Sequence, residues 1–165
     1  MKRVRTVFFM RHAKSSWKES GLTDEERPLN RRGRADAPEM GKRLKAGGCQ
    51  IDLIITSTAV RAVMTAKRVA KEMGFSGKIV KEPNLYLADI ESYLKTLSGL
   101  GKDVTSVMIL SHNPGTEQVV KYLSGQYLRM PTAAYAKLSF KGDWPPDKGS
   151  CNIMDYDFPK SERSI

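Results

Sequence analysis

The sequence predicts a three-layer α/β sandwich built around a mainly parallel central sheet. Three observations lead there. Short apolar runs such as Val7-Phe8-Phe9-Met10 and Val107-Met108-Ile109-Leu110 are too brief for helices and read as buried strands. Longer segments with apolar residues at helical spacing alternate with these runs, as crossover connections require. Polar and basic motifs follow the strands, where open α/β sheets place their ligands.

Taken in order, residues 4–10 form the first strand. Residues 39–46 form a helix stopped by Gly47-Gly48; Pro38 suits its first turn, whereas Asn30 would cap an earlier start, and the sequence leaves both open. Residues 52–56 are the second strand. In residues 59–73 Val60, Val63, Met64, Ala66, Val69, Ala70 and Met73 trace one apolar stripe that Gly74 terminates, the clearest helix in the chain. Residues 78–81 are a short strand, and 90–100 a helix capped by Asp89. Residues 105–110 are a strongly apolar strand, 116–123 a helix after Pro114-Gly115, and 136–140 and 153–158 late strands.

With 165 residues the chain has the length of one domain and can bury a core without cross-links. Residues 1–158 are expected to form that domain, with 159–165 as a loose tail. Cys49 and Cys151 form neither a CxxC pair nor a zinc spacing, which suits free thiols in a reducing cytoplasm. No apolar run approaches the ~20 residues a bilayer requires. Met1-Lys2-Arg3 could open a signal peptide, but the apolar stretch after it is short and Arg11-His12 interrupts it. A cytoplasmic monomer without membrane partners is therefore expected. The 28 Lys and Arg against 18 Asp and Glu give a formal charge of +10, which attracts phosphates, acidic proteins or nucleic acid. Because the basic residues are scattered and aromatics do not interleave with them, a solvated basic surface is expected rather than a nucleic-acid site.

Both histidines of the chain fall directly after strands. Arg11-His12 follows the first, and Ser111-His112-Asn113-Pro114 follows the strand ending at Leu110. Thr56-Ser57-Thr58 follows the second strand, with Arg61 in the first turn of the next helix. Arginine offers a planar fork that matches phosphate oxygens and stays charged, and neutral histidine is a competent nucleophile toward phosphorus. Phosphoryl transfer depends above all on positioning and charge stabilisation, which Arg11, Arg61 and the helix N-terminus would supply. A metal site is not expected, since Arg11 beside His12 repels a cation and no carboxylate cluster accompanies either histidine. Neither a G-x-S-x-G elbow nor a P-loop is present, and no cofactor is implied.

Phe9-Met10-Arg11-His12-Ala13-Lys14 resembles the signature of the histidine phosphatase superfamily, which includes phosphoglycerate mutases, with alanine where glycine usually follows the histidine. Arg27-Pro28-Leu29-Asn30-x-x-Gly33 is similar to the segment that follows it there. Thr56-Ser57-Thr58-Ala59-Val60-Arg61-Ala62-x-x-Thr65-Ala66 and Ser111-His112-Asn113-Pro114 resemble the second arginine and second histidine motifs. The short chain, Ser-His-Asn-Pro and Met130-Pro131-Thr132-Ala133 look most like the SixA branch of phosphohistidine phosphatases. The resemblance implies a phosphoglycerate mutase-like fold, His12 as nucleophile, and Arg11, Arg61 and His112 holding the phosphoryl group. It places Arg27 in the pocket, although Arg27 reads equally well as a surface arginine before Pro28. Ser15, Ser16 and Trp17 would line the mouth, Trp17 otherwise serving core or rim packing.

Larger members of that family protonate the leaving group with a carboxylic acid after the third strand. Here the matching position near Leu85–Leu87 is apolar, leaving Glu82, Asp89 and Glu91 as nearby candidates. The expected activity is a phosphatase acting on protein phosphohistidine. The alternatives are a small-molecule or sugar-phosphate phosphomonoesterase and a slow phosphate- or phosphoprotein-binding module.

Overall fold

The computed structural model describes residues 2–161. Six strands form one sheet: β1 (Val4–Arg11), β2 (Leu53–Thr56), β3 (Lys78–Lys81), β4 (Ser106–Ser111), β5 (Tyr135–Lys141) and β6 (Asn152–Asp157), in the order β3-β2-β4-β1-β5-β6. The pairs β1–β4, β2–β4 and β2–β3 are parallel, while β5 runs antiparallel to both β1 and β6. Four helices connect them: α1 (Arg31–Ala46), α2 (Val60–Met73), α3 (Ile90–Ser98) and α4 (Gly115–Ser124).

The alternation of side chains along β1 creates the three layers. Phe8 and Met10 face α1 and α2 and pack with Met40, Leu44, Ala62, Ala66 and Val69. Val7 and Phe9 face the other side and pack with Tyr93, Leu97, Val119, Val120 and Leu123 of α3 and α4. All four β1 residues are fully buried, each contributing about 1.5–3 kcal/mol by removal from water. The fold is thus the three-layer α/β sandwich with a mainly parallel sheet that the sequence predicts.

The first helix starts eight residues before position 39. The Asn30 side chain accepts the Gly33 amide at 2.9 Å, so Asn30 is the cap and Pro38 lies inside α1, where it forgoes one helical hydrogen bond. Gly33 is required for a different reason: a Cβ there would lie 2.1 Å from the Lys14 carbonyl oxygen. This close approach ties α1 to the loop just after His12, together with the Asn30 amide donating to Lys14 O at 3.0 Å. Short 3-10 turns at Asp24–Glu26 and Pro83–Leu85 were not expected from periodicity.

Of the tail expected over 159–165, residues 162–165 lie outside the described residues. Arg43, paired with buried Asp157 at 3.3 Å, also donates to the carbonyls of Phe158 and Pro159 and to Ser161 Oγ. No helix among the described residues is long and apolar enough to cross a membrane.

Candidate active site

Strand register brings the three sequence motifs to one level. Arg11 of β1 pairs with Ser111 of β4, and Thr56 of β2 pairs with Leu110. His12 and His112 therefore leave neighbouring strands side by side, and Ser57 emerges next to them. The backbone fixes the exits, with the His12 amide donating to Ser111 O at 3.0 Å and the Ser57 amide to Leu110 O at 2.9 Å. The two imidazoles lie 5.0 Å apart between centroids.

His12 Nδ1 lies 2.7 Å from the carbonyl oxygen of Ala13. A carbonyl only accepts, so Nδ1 carries the proton and Nε2 of the neutral ring carries the free lone pair. Burial holds the ring neutral, pushing its pKa down to about 3, with smaller contributions from His112, Arg61 and Arg11. Thr65 supports this loop from α2: its hydroxyl accepts the Ala13 amide at 3.0 Å and donates to Arg61 O at 2.7 Å. His112 is also buried and its pKa lowered to about 4, first by desolvation and then by Arg61. Its Nε2 lies 2.7 Å from Ser57 Oγ, and its Nδ1 lies 3.4 Å from Arg61 Nη2.

Arg11 and Arg61 converge on the same cavity, of about 420 Å³, lined among others by His12, Asp24, Arg27 and His112. Arg11 donates from Nη1 to Met130 O at 3.2 Å and keeps a buried Nε–H without a protein partner. Arg61 donates to Asp24 O at 2.6 Å and to Asp24 Oδ2 at 3.0 Å. Arg11, Lys14, Arg27 and Arg61 face one carboxylate in this lining, so the cavity suits an anion. A larger concavity, about 580 Å³ at the opposite end of β1, is also basic, with Lys2, Arg3, Arg5, Lys102 and Lys141 against Asp143 and Asp147, but no histidine lines it and its buried Arg5 already donates to the carbonyls of Lys102, Val104 and Gly142.

Arg27 and Ser15 both line the cavity that holds His12 and His112. Arg27 is buried rather than a surface residue; it donates to Ser15 Oγ at 2.8 Å, pairs with Asp24 at 3.0 Å, and stacks 3.4 Å from the centroid of Trp17. Trp17 is 77% exposed, so it is a rim residue and takes no part in the core. Ser16 does not line the cavity.

The carboxylate in this cavity is one that sequence reasoning missed. Asp24 arrives on the 3-10 turn after β1 and accepts Tyr86 Oη at 2.5 Å as well as Arg61 and Arg27. The Tyr86 hydroxyl, followed by Arg61 and Arg27, holds the Asp24 carboxyl well below the usual carboxylate range. Tyr86 also packs edge-on against His112, with centroids 5.4 Å apart. Glu82 caps the turn at Asn84, Asp89 caps α3 by accepting the Ser92 amide at 2.9 Å, and neither they nor Glu91 line the cavity. Only the carboxylate at position 24, three residues before the Arg27-Pro28 motif, could have signalled this arrangement. Among the described residues no group of three or more His, Cys, Asp or Glu is placed to hold a metal ion.

Comparison with known proteins agrees with this geometry. The model of the histidine phosphatase superfamily (branch 1) matches residues 7–90. An uncharacterised chloroplastic protein of Arabidopsis thaliana is 30% identical over 155 residues, spanning 85% of this chain and 69% of its own length. A 2,3-bisphosphoglycerate-dependent phosphoglycerate mutase of Bartonella quintana is 37% identical over 102 residues, 60% of this chain but 48% of the mutase. The crystal structure of a candidate phosphohistidine phosphatase SixA of Agrobacterium tumefaciens superposes with a TM-score of 0.79 at 28% identity, over 94% of this chain and 98% of that one. Two histidines and two arginines gathered at the carboxyl ends of β1, β2 and β4, on a fold of SixA-like extent, accord with that match: the chain belongs to the histidine phosphatase superfamily.

Proposed function

We propose that the protein is a metal-independent phosphatase that transfers a phosphoryl group to His12 Nε2 and hydrolyses the phosphohistidine formed, with protein phosphohistidine as its substrate. The observation that carries the reading is the Nδ1 contact of His12 with Ala13 O at 2.7 Å, which leaves Nε2 as an unprotonated nucleophile beside Arg11, Arg61 and His112. Attack forms the P–N bond to His12 as the bond to the leaving group breaks. Water then attacks phosphorus, releasing inorganic phosphate and neutral His12. The arginines offset charge on the equatorial oxygens, and His112 donates to one of them. Charge is met throughout by side chains of this chain, so turnover should survive EDTA.

The substrate preference follows from Asp24. Its carboxyl is ionised and has no proton to give a leaving group. General acid catalysis is typically worth about 10²–10⁴ in rate, and an alkoxide suffers most without it. An imidazole, with a free pKa of ~6.5, departs with far less help. On this reading kcat/KM should be highest for phosphohistidine, lowest for phosphoserine, and intermediate or near the phosphohistidine value for an activated aryl phosphate. Equal efficiency on phosphoserine would overturn the preference, and loss of ester activity alone in Asp24→Asn would identify Asp24 as an acid. Acid-labile phosphate should be trapped on His12 during turnover and be missing from His12→Ala.

A further inference from the structure

A second cavity, also about 420 Å³, adjoins the catalytic one and shares Arg11, Lys14, Asn113 and Thr132 with it. Five cations contribute to its lining, Arg11, Lys14, Arg32, Arg129 and Lys160, against the single carboxylate of Glu117. That carboxylate is occupied in holding the chain: Oε2 accepts the Met130 amide at 2.7 Å and Oε1 accepts Tyr127 Oη at 3.3 Å. Arg32 shares its charge with Asp36 at 3.2 Å, whereas Lys14, Arg129 and Lys160 are exposed. Arg11 stands between the cavities. The opposite rim of the catalytic site is different in kind, with exposed Trp17 and Leu87 and no excess charge beyond Arg27, which Asp24 pairs.

We propose that this second cavity is a subsite for a further anionic group on the same substrate, a carboxylate or phosphate attached near the scissile phosphoryl group. The proposal rests on the phosphatase reading of the adjoining site. It also gives the substrate a direction: the anionic part lies along Met130–Thr132 and the C-terminal end of β6, and the uncharged part toward Trp17 and Leu87. Arg11 is half-buried and the exposed cations around it add a potential that salt screens, so removing two of them shifts both affinity and its salt dependence. Two sources supply such an anion, acidic side chains flanking a phosphorylated residue and a second phosphate on a small molecule, and experiment separates them.

The test compares the protein with the double variant Arg129→Gln/Lys160→Gln, two exposed positions whose replacement leaves the core untouched. One substrate pair is an N-phosphorylated histidine peptide flanked by glutamates and the same peptide flanked by glutamines. The other is fructose 1,6-bisphosphate and fructose 6-phosphate, and both pairs are followed by turnover and by calorimetric binding. The expected result is about a ten-fold preference for the anion-bearing member of at least one pair, lost in the double variant and in roughly 0.5 M salt. Preference confined to the peptides assigns the anion to a protein substrate, and preference confined to the sugars assigns it to a small molecule. Turnover of all four substrates with no preference in either pair overturns the subsite while leaving the phosphatase reading intact. If nothing is turned over, the phosphatase reading fails, and calorimetric binding of both pairs still decides the subsite: equal affinity within each pair overturns it.

Discussion

The Ser57 hydroxyl lies 2.7 Å from Nε2 of His112 and receives the Ala59 amide at 3.1 Å. Arg61 Nη2 can only donate, so in the free protein its 3.4 Å contact makes Nδ1 of neutral His112 the acceptor and puts the ring proton on Nε2, toward Ser57 Oγ; the hydroxyl can reverse this bond and donate to Nε2 when Nδ1 has to donate to a phosphoryl oxygen. In Ser57→Ala both His112 Nε2 and the Ala59 amide lose this partner. We expect kcat on an aryl phosphate to fall about ten- to a hundred-fold, with Ser57→Thr recovering most of it because the hydroxyl is restored. Full activity in Ser57→Ala would remove Ser57 from the positioning of His112.

Stability should fall on acidification through the two histidines. Their folded pKa values, about 3 for His12 and about 4 for His112, lie below the unfolded value, so the folded state binds fewer protons. Their contribution is fully present above pH ~6.5 and is lost as pH falls through the folded values. Between about pH 6 and 4.5 unfolding takes up between one and two extra protons, so stability should fall by roughly 2 kcal/mol per pH unit. Urea unfolding across this window should show that dependence, and the double variant His12→Asn/His112→Asn should be distinctly flatter. An unchanged slope in the variant would show that neither ring is held neutral.

Arg61→Lys keeps a charge but loses the fork that reaches Asp24 O at 2.6 Å, Asp24 Oδ2 at 3.0 Å and the His112 ring. By analogy with loss of one transition-state donor, kcat/KM should drop by about 2–4 kcal/mol, or roughly 30- to 1000-fold. Normal kcat/KM in a folded Arg61→Lys protein would exclude Arg61 from direct contact with phosphate.

Gly33→Ala tests how the signature loop is held. The added Cβ would meet the Lys14 carbonyl, a backbone atom that cannot rotate aside, at 2.1 Å. We expect about 2–4 kcal/mol of destabilisation in denaturant titration and impaired turnover, because the displaced residue lies two positions from His12. Wild-type stability would mean that α1 can shift away from this loop at little cost.

What the sequence by itself determined was local. The apolar stripe of α2, the buried run of β1, and the placement of Arg11, His12, Arg61 and His112 after strands are written in neighbouring residues, because strand and helix periods repeat within a few positions. The start of α1 was open in sequence because Asn30 and Pro38 both carry valid start signals, and only the Asn30–Gly33 contact decides between them. Long-range packing decided the remainder. Asp24 and Tyr86, 62 positions apart, meet at 2.5 Å behind Arg61, while Glu82 and Asp89, closer in sequence to the expected acid position, satisfy backbone amides at a turn and a helix start. The basic cavity likewise joins Lys14 and Arg32 to Arg129 and Lys160, from loops and helix ends that share no sequence period. The parallel register that aligns Arg11 with Ser111 and Thr56 with Leu110 sets which loops converge, and it is fixed by burial on both faces of the sheet, a property of the whole folded chain rather than of any one segment.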